Sequence, residues 1–214
     1  MKKWMVVLPL AAMCAQGAII GVSGPNSTPG ASVTACAPTA ASIIAAPASV
    51  IDDSPGATNC AQQGFDERQG VLLAANLDTD AAGPNNILAG TVVNSHMIFL
   101  NTNGNINVLH DGVEWEFDGL ILGVMSNQSG TLEANSSAVL GAVGTTYPAA
   151  FANRGLESRD GYTINGRFLT VNMQVTEPGD WIRVVTANQV PEPGTYALMG
   201  AGLAALGFLR RRKA

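Results

Sequence analysis

The sequence predicts an all-β body, a two-sheet sandwich of jelly-roll type, flanked by a flexible N-terminal arm and a C-terminal hydrophobic helix. Three observations predict it. Apolar residues in the middle of the chain recur with period two, glycine and proline punctuate the runs, and no stretch of that region sustains a helical period. Of the 214 residues 47% are hydrophobic, enough for one core of ordinary size.

The clearest strand carries Val113, Trp115 and Phe117 on one face and Glu114, Glu116 and Asp118 on the other. A second alternates Leu169, Val171, Met173 and Val175 with Thr170, Asn172, Gln174 and Thr176. Pro178-Gly179 suits the two central positions of a type II turn, so this run is expected to return directly as a strand over 181–187. Asn103-Gly104 gives a hairpin signal after a strand over 91–100, and further strands are expected over 70–78 and 120–126. Residues 126–159 read as long loops with a short helix near 133–140. No tandem repeat is visible.

The N-terminus has the three parts of a secretory signal over residues 1–17: Lys2 and Lys3, an apolar run over 4–12, then small residues, with cleavage expected after Gly17. Cys14 follows Met13 rather than a small residue, which disfavours a lipoprotein signal. Residues 18–44 are rich in Ala, Ser, Thr, Pro and Gly and read as the flexible arm, because few large side chains offset the entropy of ordering them. The folded domain is assigned to 45–188 and a distinct tail to 190–214.

Removing both ends takes away six of the eleven cationic residues and leaves five arginines with no lysine. Fifteen acids then set a net charge near −10. Nucleic acids and anionic lipid are bound through clustered Lys and Arg, so a nucleic-acid-binding role is excluded. Only Cys36 and Cys60 remain after loss of the signal, and in an oxidising compartment one intramolecular disulfide is expected; two free thiols or an intermolecular bridge are the alternatives. Closing a loop of about 25 residues contributes roughly 3 kcal/mol in the chain-entropy model. Two cysteines without a nearby histidine make a zinc site a poor reading.

Glu114, Glu116 and Asp118 form the first candidate for chemistry. Residues two apart on a strand lie on one face about 6.5 Å apart, near the spacing of glycosidase carboxylate pairs, and such a row is also able to ligate calcium. Alternation alone places polar residues there, so a solvated face is the expectation, with calcium and catalysis as alternatives; no other cofactor is indicated. Asp78, Asp80 and Gly83 imitate the start of a calcium loop, but Ala82 and Ala89 occupy positions that need ligands. Ser95 and His96 are strand neighbours pointing to opposite faces, so they cannot act as nucleophile and base together, and His96 is expected to be packed or hydrogen-bonded. His110 is expected to be solvated. The run 200–205 fits a dinucleotide fingerprint only as a string, since it lies in the apolar tail and not in a βαβ unit.

The tail, VPEPGTYALMGAGLAALGFLRRRKA, resembles a PEP-CTERM sorting signal. Val190, Pro191, Glu192 and Pro193 stand in the recognition motif, a Leu/Ala/Gly-rich helix follows, and Arg210, Arg211, Arg212 and Lys213 form the basic stop. The resemblance implies cleavage by an exosortase in a Gram-negative bacterium that makes exopolysaccharide. The basic cluster would hold that end in the cytoplasm, leaving the body outside the inner membrane. The apolar stretch over 195–209 is short for a span, which needs roughly 20 apolar residues, and suits transient insertion. Signal peptidase and the Sec translocon are the other partners implied. The body resembles small exported PEP-CTERM proteins through GFDERQGVLLAANL, SHMIFLN, FDGLILGVMS and EPGDWIRVV, which brings no assigned activity.

The function expected is therefore that of a non-enzymatic surface or extracellular-matrix protein contributing to exopolysaccharide, biofilm or floc structure, with exposed aromatics such as Trp115 or Trp181 contacting glycan. The alternative is a secreted hydrolase acting on polysaccharide through the acidic strand face.

Overall fold

Strand alternation in the sequence becomes inward and outward faces of two packed sheets. A computed structural model describes residues 17–30, 36–52, 58–80, 86–102, 107–176, 179–188 and 201–202. In chain order the body contains β1 (Ile19–Ser23), β2 (Thr28–Pro29), β3 (Ser42–Ile43), β4 (Gln63–Asp66), β5 (Val71–Leu72), β6 (Leu77–Asp78) and β7 (Asn86–Ile87). There follow β8 (Val92–Leu100), β9 (Val108–Phe117), β10 (Ile121–Met125), α1 (Thr131–Leu140), β11 (Gly161–Asn165), β12 (Phe168–Val175) and β13 (Asp180–Ala187).

One sheet has the order β1-β9-β12-β11, with β2 also on β9. The other has the order β10-β13-β8-β4-β3, with β5 also on β8, and β6 pairs with β7 in a separate ribbon. Every described pairing between these strands is antiparallel except β3 with β4, and an isolated parallel bridge joins Ser49 to Thr146. The predicted all-β sandwich is the fold observed.

Between the sheets lies the main core. Val113, Trp115, Phe117, Leu169, Val171 and Met173 from the first sheet meet Ile98, Leu100, Val124, Ile182 and Val184 from the second. The alternation predicted for β9 and β12 holds residue by residue: Leu169, Val171, Met173 and Val175 are buried while the residues between them are half-buried. The central strands β8 and β13 are buried on both faces. The outer face of their sheet is covered by two further clusters. Met125, Val93 and Val185 pack near Leu140 of α1, while Phe65, Phe99 and Trp181 pack with Val50. The body is thus sheet, sheet, and a third layer of helix and loops.

The local strand reading succeeded where its pairing reading did not. β12 and β13 were expected to be a hairpin; instead β12 pairs with β9 and β11, and β13 pairs with β8 and β10 in the other sheet. The connection around Gly179 therefore crosses between sheets. β8 and β9, expected to be joined by a hairpin at Asn103-Gly104, also lie in different sheets; residues 103–106 are outside the described set. Turn-forming residues signal reversal of direction, and a sandwich arch reverses direction as fully as a hairpin does. The true two-residue hairpin joins β11 to β12 through Gly166-Arg167, where Gly166 takes φ 63° at the first central position, as a type II′ turn requires.

The expected flexible arm is corrected in part. β1 pairs with β9 through Ile19↔Phe117 and Ser23↔Glu114, Ile19 is buried, and β2 and β3 add short pairings to both sheets. The edge of β9 offers unpaired backbone groups, and satisfying them outweighs the poor side-chain content of this segment. The predicted strand over 70–78 is split into β5 and β6.

Candidate functional site

The acidic strand keeps its predicted face but gathers no site. Glu114 lies exposed opposite Thr170 and Ser23, while Glu116 pairs with Arg167 at 2.5 Å. Among the described residues these carboxylates do not converge with Asp118 on a common point. Asp80, in the calcium-like string, accepts hydrogen bonds from the hydroxyls of Ser126 and Tyr162.

Ser95 and His96 point to opposite faces, as strand geometry requires. Ser95 Oγ donates to Glu67 at 2.6 Å, on the helix side. His96 turns the other way, with Nδ1 2.8 Å from Asp66 Oδ1 and Nε2 3.0 Å from Thr186 Oγ1. That order imitates an acid-base-nucleophile relay. Yet His96 and Thr186 are fully buried and the Phe117 ring lies 4.8 Å from the imidazole, so the hydroxyl meets no approach for a substrate. The arrangement holds β4, β8 and β13 together.

His110, expected to be solvated, is buried. It is 1% exposed, its Nδ1 accepts the Gln62 backbone N–H at 2.9 Å and its Nε2 donates to Pro25 O at 3.0 Å. These partners fix the neutral tautomer, and burial lowers its pKa. Trp115 and Trp181, expected as exposed glycan contacts, are both fully buried. Trp115 donates to Gln62 Oε1 at 3.0 Å; Trp181 donates to Val50 O at 2.8 Å and meets Phe151 edge to face. Period-two reasoning already placed Trp115 inward, so its glycan role fails on the same alternation that identified its strand.

Two of the five body arginines are buried. Arg183 makes a two-pronged pair with Glu67 at 2.6 and 2.8 Å, and Arg154 meets Glu133 of α1 at 2.6 Å. Arg183 also donates to Glu133 O and to Ser136 Oγ, so the network pins α1 to the second sheet. Sequence reasoning missed it because paired buried charges look like surface charges in a string.

A second missed group lies at one end of the sandwich. Glu157, Asp160 and Asp180 each bring a carboxylate oxygen to within 4.8 Å of the others. Burial, then Asp160, raises the Glu157 carboxyl to about 7; burial also raises Asp160 and, with its two acidic neighbours, raises Asp180 well above the usual range. The Cys36–Cys60 disulfide is formed, with Cα atoms 5.5 Å apart, and Cys36 packs against the inter-sheet core. Beside Cys36 an open groove of about 470 Å³ is lined by Asn26, Ser27, Thr28, Pro29, Gly30 and Pro38, with no acid or histidine among the described residues of its wall.

The disulfide-bonded β-sandwich and the three-part tail together define an exported protein carrying a terminal sorting signal. The family model of the PEP-CTERM protein-sorting motif matches residues 189–213. The chain carries this sorting motif, which implies an exported protein of Gram-negative type that is processed by an exosortase and sorted to the cell surface. Comparison with curated proteins and with solved structures gave no match. Val190, Pro191, Glu192, Pro193 and the cluster Arg210–Lys213 fall outside the described residues; of the tail, Ala201 and Gly202 are described, and both are helical. Among the described residues no helix is long and apolar enough to cross a membrane.

Proposed function

We propose that the body is a non-enzymatic component of the cell surface or extracellular matrix, contributing to the cohesion of exopolysaccharide-based biofilm or floc. The observation that carries this reading is the commitment of its reactive groups to the fold. His96 and His110 are locked in buried hydrogen bonds, Glu116 is paired with Arg167, and the buried arginines hold α1. A disulfide and an anionic surface suit residence outside the cell. With both tryptophans enclosed, attachment to glycan would have to use polar surface rather than aromatic stacking.

Deleting the gene should reduce floc or biofilm cohesion, and a wild-type copy should restore it where a copy with Pro191, Glu192 and Pro193 replaced by alanine does not. Unchanged cohesion in the deletion strain would overturn the matrix role. Purified protein should release no reducing ends from the strain's exopolysaccharide; release that disappears in the Glu114→Gln/Glu116→Gln variant would establish the hydrolase instead.

A further inference from the structure

The group formed by Glu157, Asp160 and Asp180 joins elements of both sheets. Glu157 and Asp160 belong to the turn that enters β11, at the edge of the first sheet, and Asp180 opens β13, in the centre of the second. The turn is closed by Asp160 N donating to Glu157 O at 2.9 Å, with Ser158 at φ 56°. The Asp160 carboxylate is oriented by the Gln174 backbone N–H, which donates to its Oδ1 at 2.6 Å. Three oxygens are therefore brought together by local backbone geometry and by sheet packing at once.

Among the described residues the charge in this group is only partly compensated by protein. Asp180 is 2% exposed, and its Oδ2 is buried with no hydrogen-bond partner among the described residues; Glu157 Oε2 is in the same condition. Arg159, the cation beside them, is itself half exposed and directs its guanidinium to Asp111 at 2.6 Å. A buried carboxylate without donors is costly, and three negative charges so close are costlier still. Two agents relieve such a site: protons, or a cation that takes the oxygens as ligands.

We propose that Glu157, Asp160 and Asp180 form a calcium site that ties the two sheets together at this end of the sandwich. The donors are hard carboxylate oxygens with no nitrogen or sulfur among them, which selects calcium or magnesium over zinc or copper. Calcium accepts irregular oxygen shells completed by water and carbonyls, whereas magnesium demands a near-ideal octahedron, and a site assembled from two sheets favours the more tolerant ion. Extracellular calcium modules bind at roughly 10⁻⁴–10⁻³ M, a range suited to a protein working outside the cell. This site is distinct from the strand row Glu114, Glu116 and Asp118, and it stands whether or not the matrix role does.

The test uses exported, disulfide-bonded protein stripped with EDTA and titrated with CaCl₂ or MgCl₂. Calcium should raise Tm in a saturable way, with one ion bound, and magnesium should act more weakly. Asp180→Asn and, separately, the more accessible Glu157→Gln should abolish the calcium response while melting in EDTA no earlier than wild type, because each removes a repelling charge. Glu114→Gln/Glu116→Gln should respond like wild type. A wild-type protein with no calcium-dependent rise in Tm and no bound ion overturns the site, as does a response that survives in both Asp180→Asn and Glu157→Gln.

Discussion

Gln62 Oε1 accepts the indole N–H of Trp115 at 3.0 Å, deep between the two sheets. The same side chain donates through Nε2 to His110 O at 2.8 Å, while its backbone N–H reaches His110 Nδ1. Gln62 immediately precedes β4 of one sheet, while Trp115 and His110 lie on β9 of the other, and Nε2 also reaches Val171 O of the neighbouring β12 at 3.4 Å. One polar residue thus satisfies an indole, a histidine carbonyl and an imidazole in an otherwise apolar interior. Gln62→Leu should leave the indole N–H and His110 O unsatisfied, costing about 1–3 kcal/mol for each buried group. Urea unfolding should show the lowered midpoint, and a rise to wild-type stability would remove Gln62 as the polar anchor.

The packing of Trp115 also explains why β4 carries a glycine. A Cβ on Gly64 would stand 2.5 Å from the six-membered ring of Trp115, in a core with no slack. Gly64→Ala should destabilise by about 1–3 kcal/mol through overpacking. Shifted tryptophan fluorescence together with a lower Tm would register it; unchanged melting would mean that the ring moves freely.

The disulfide is the third element near this seam. Cys60 lies just before Gln62, and Cys36 packs on the inter-sheet core, so the bond fastens the 36–44 segment to the lead-in of β4. Replacing both cysteines by alanine should cost about 3 kcal/mol, from the loop it closes between residues separated by 24 positions. The loss should be visible in the urea midpoint, and non-reducing peptide mapping of exported protein should find the two peptides linked.

How much of this was legible beforehand depends on whether a feature is local. Inward Val113, Trp115 and Phe117 follow from alternation alone, and α1 was foreseen at 133–140 against its observed span Thr131–Leu140. Strand pairing was misread at β12 and β13 because Pro178-Gly179 records a reversal and not the sheet in which the chain resumes. His110 seemed solvated because nothing in its own neighbourhood names Gln62, 48 positions earlier. Glu157, Asp160 and Asp180 likewise share no spacing pattern; sheet packing alone brings Asp180 to the turn before β11.

That acidic group gives the body a distinctive pH dependence when no divalent cation is present. The folded Glu157 carboxyl is raised to about 7 by burial and by Asp160, while the unfolded chain ionises near 4.5. The native state therefore binds more protons across this window, so its contribution to stability is full below about pH 4.5 and is lost as pH rises through about 7. Asp160 and Asp180 act in the same direction, with Arg159 opposing and Asp111 reinforcing at Asp160. His110 acts oppositely: burial lowers its pKa, so its contribution falls as pH drops below about 6.5. Comparing wild type with Glu157→Gln in EDTA separates the two. The variant's advantage in urea midpoint should grow between about pH 5 and about pH 8, and a constant difference would show that Glu157 titrates normally.

Processing of the tail is expected to release the body from the membrane. A basic end that would be held in the cytoplasm and a short apolar stretch suit temporary attachment, and proline at 191 and 193 disfavours a helix at the junction. Mature protein from cells with an active exosortase should therefore lack Arg210, Arg211, Arg212 and Lys213 and end near 191–193. Replacing Pro191, Glu192 and Pro193 together by alanine should leave translocation intact, since the signal expected over 1–17 would drive that step, yet strand the uncleaved chain in the inner membrane. Oxidation of Cys36 and Cys60 in the stranded form would report that the body had crossed, separating failed processing from failed export. Intact-mass analysis of the released and membrane fractions reads both outcomes. Full-length protein with its arginine tail at the surface of such cells would mean that the tail is a lasting anchor and that cleavage is not what delivers the body.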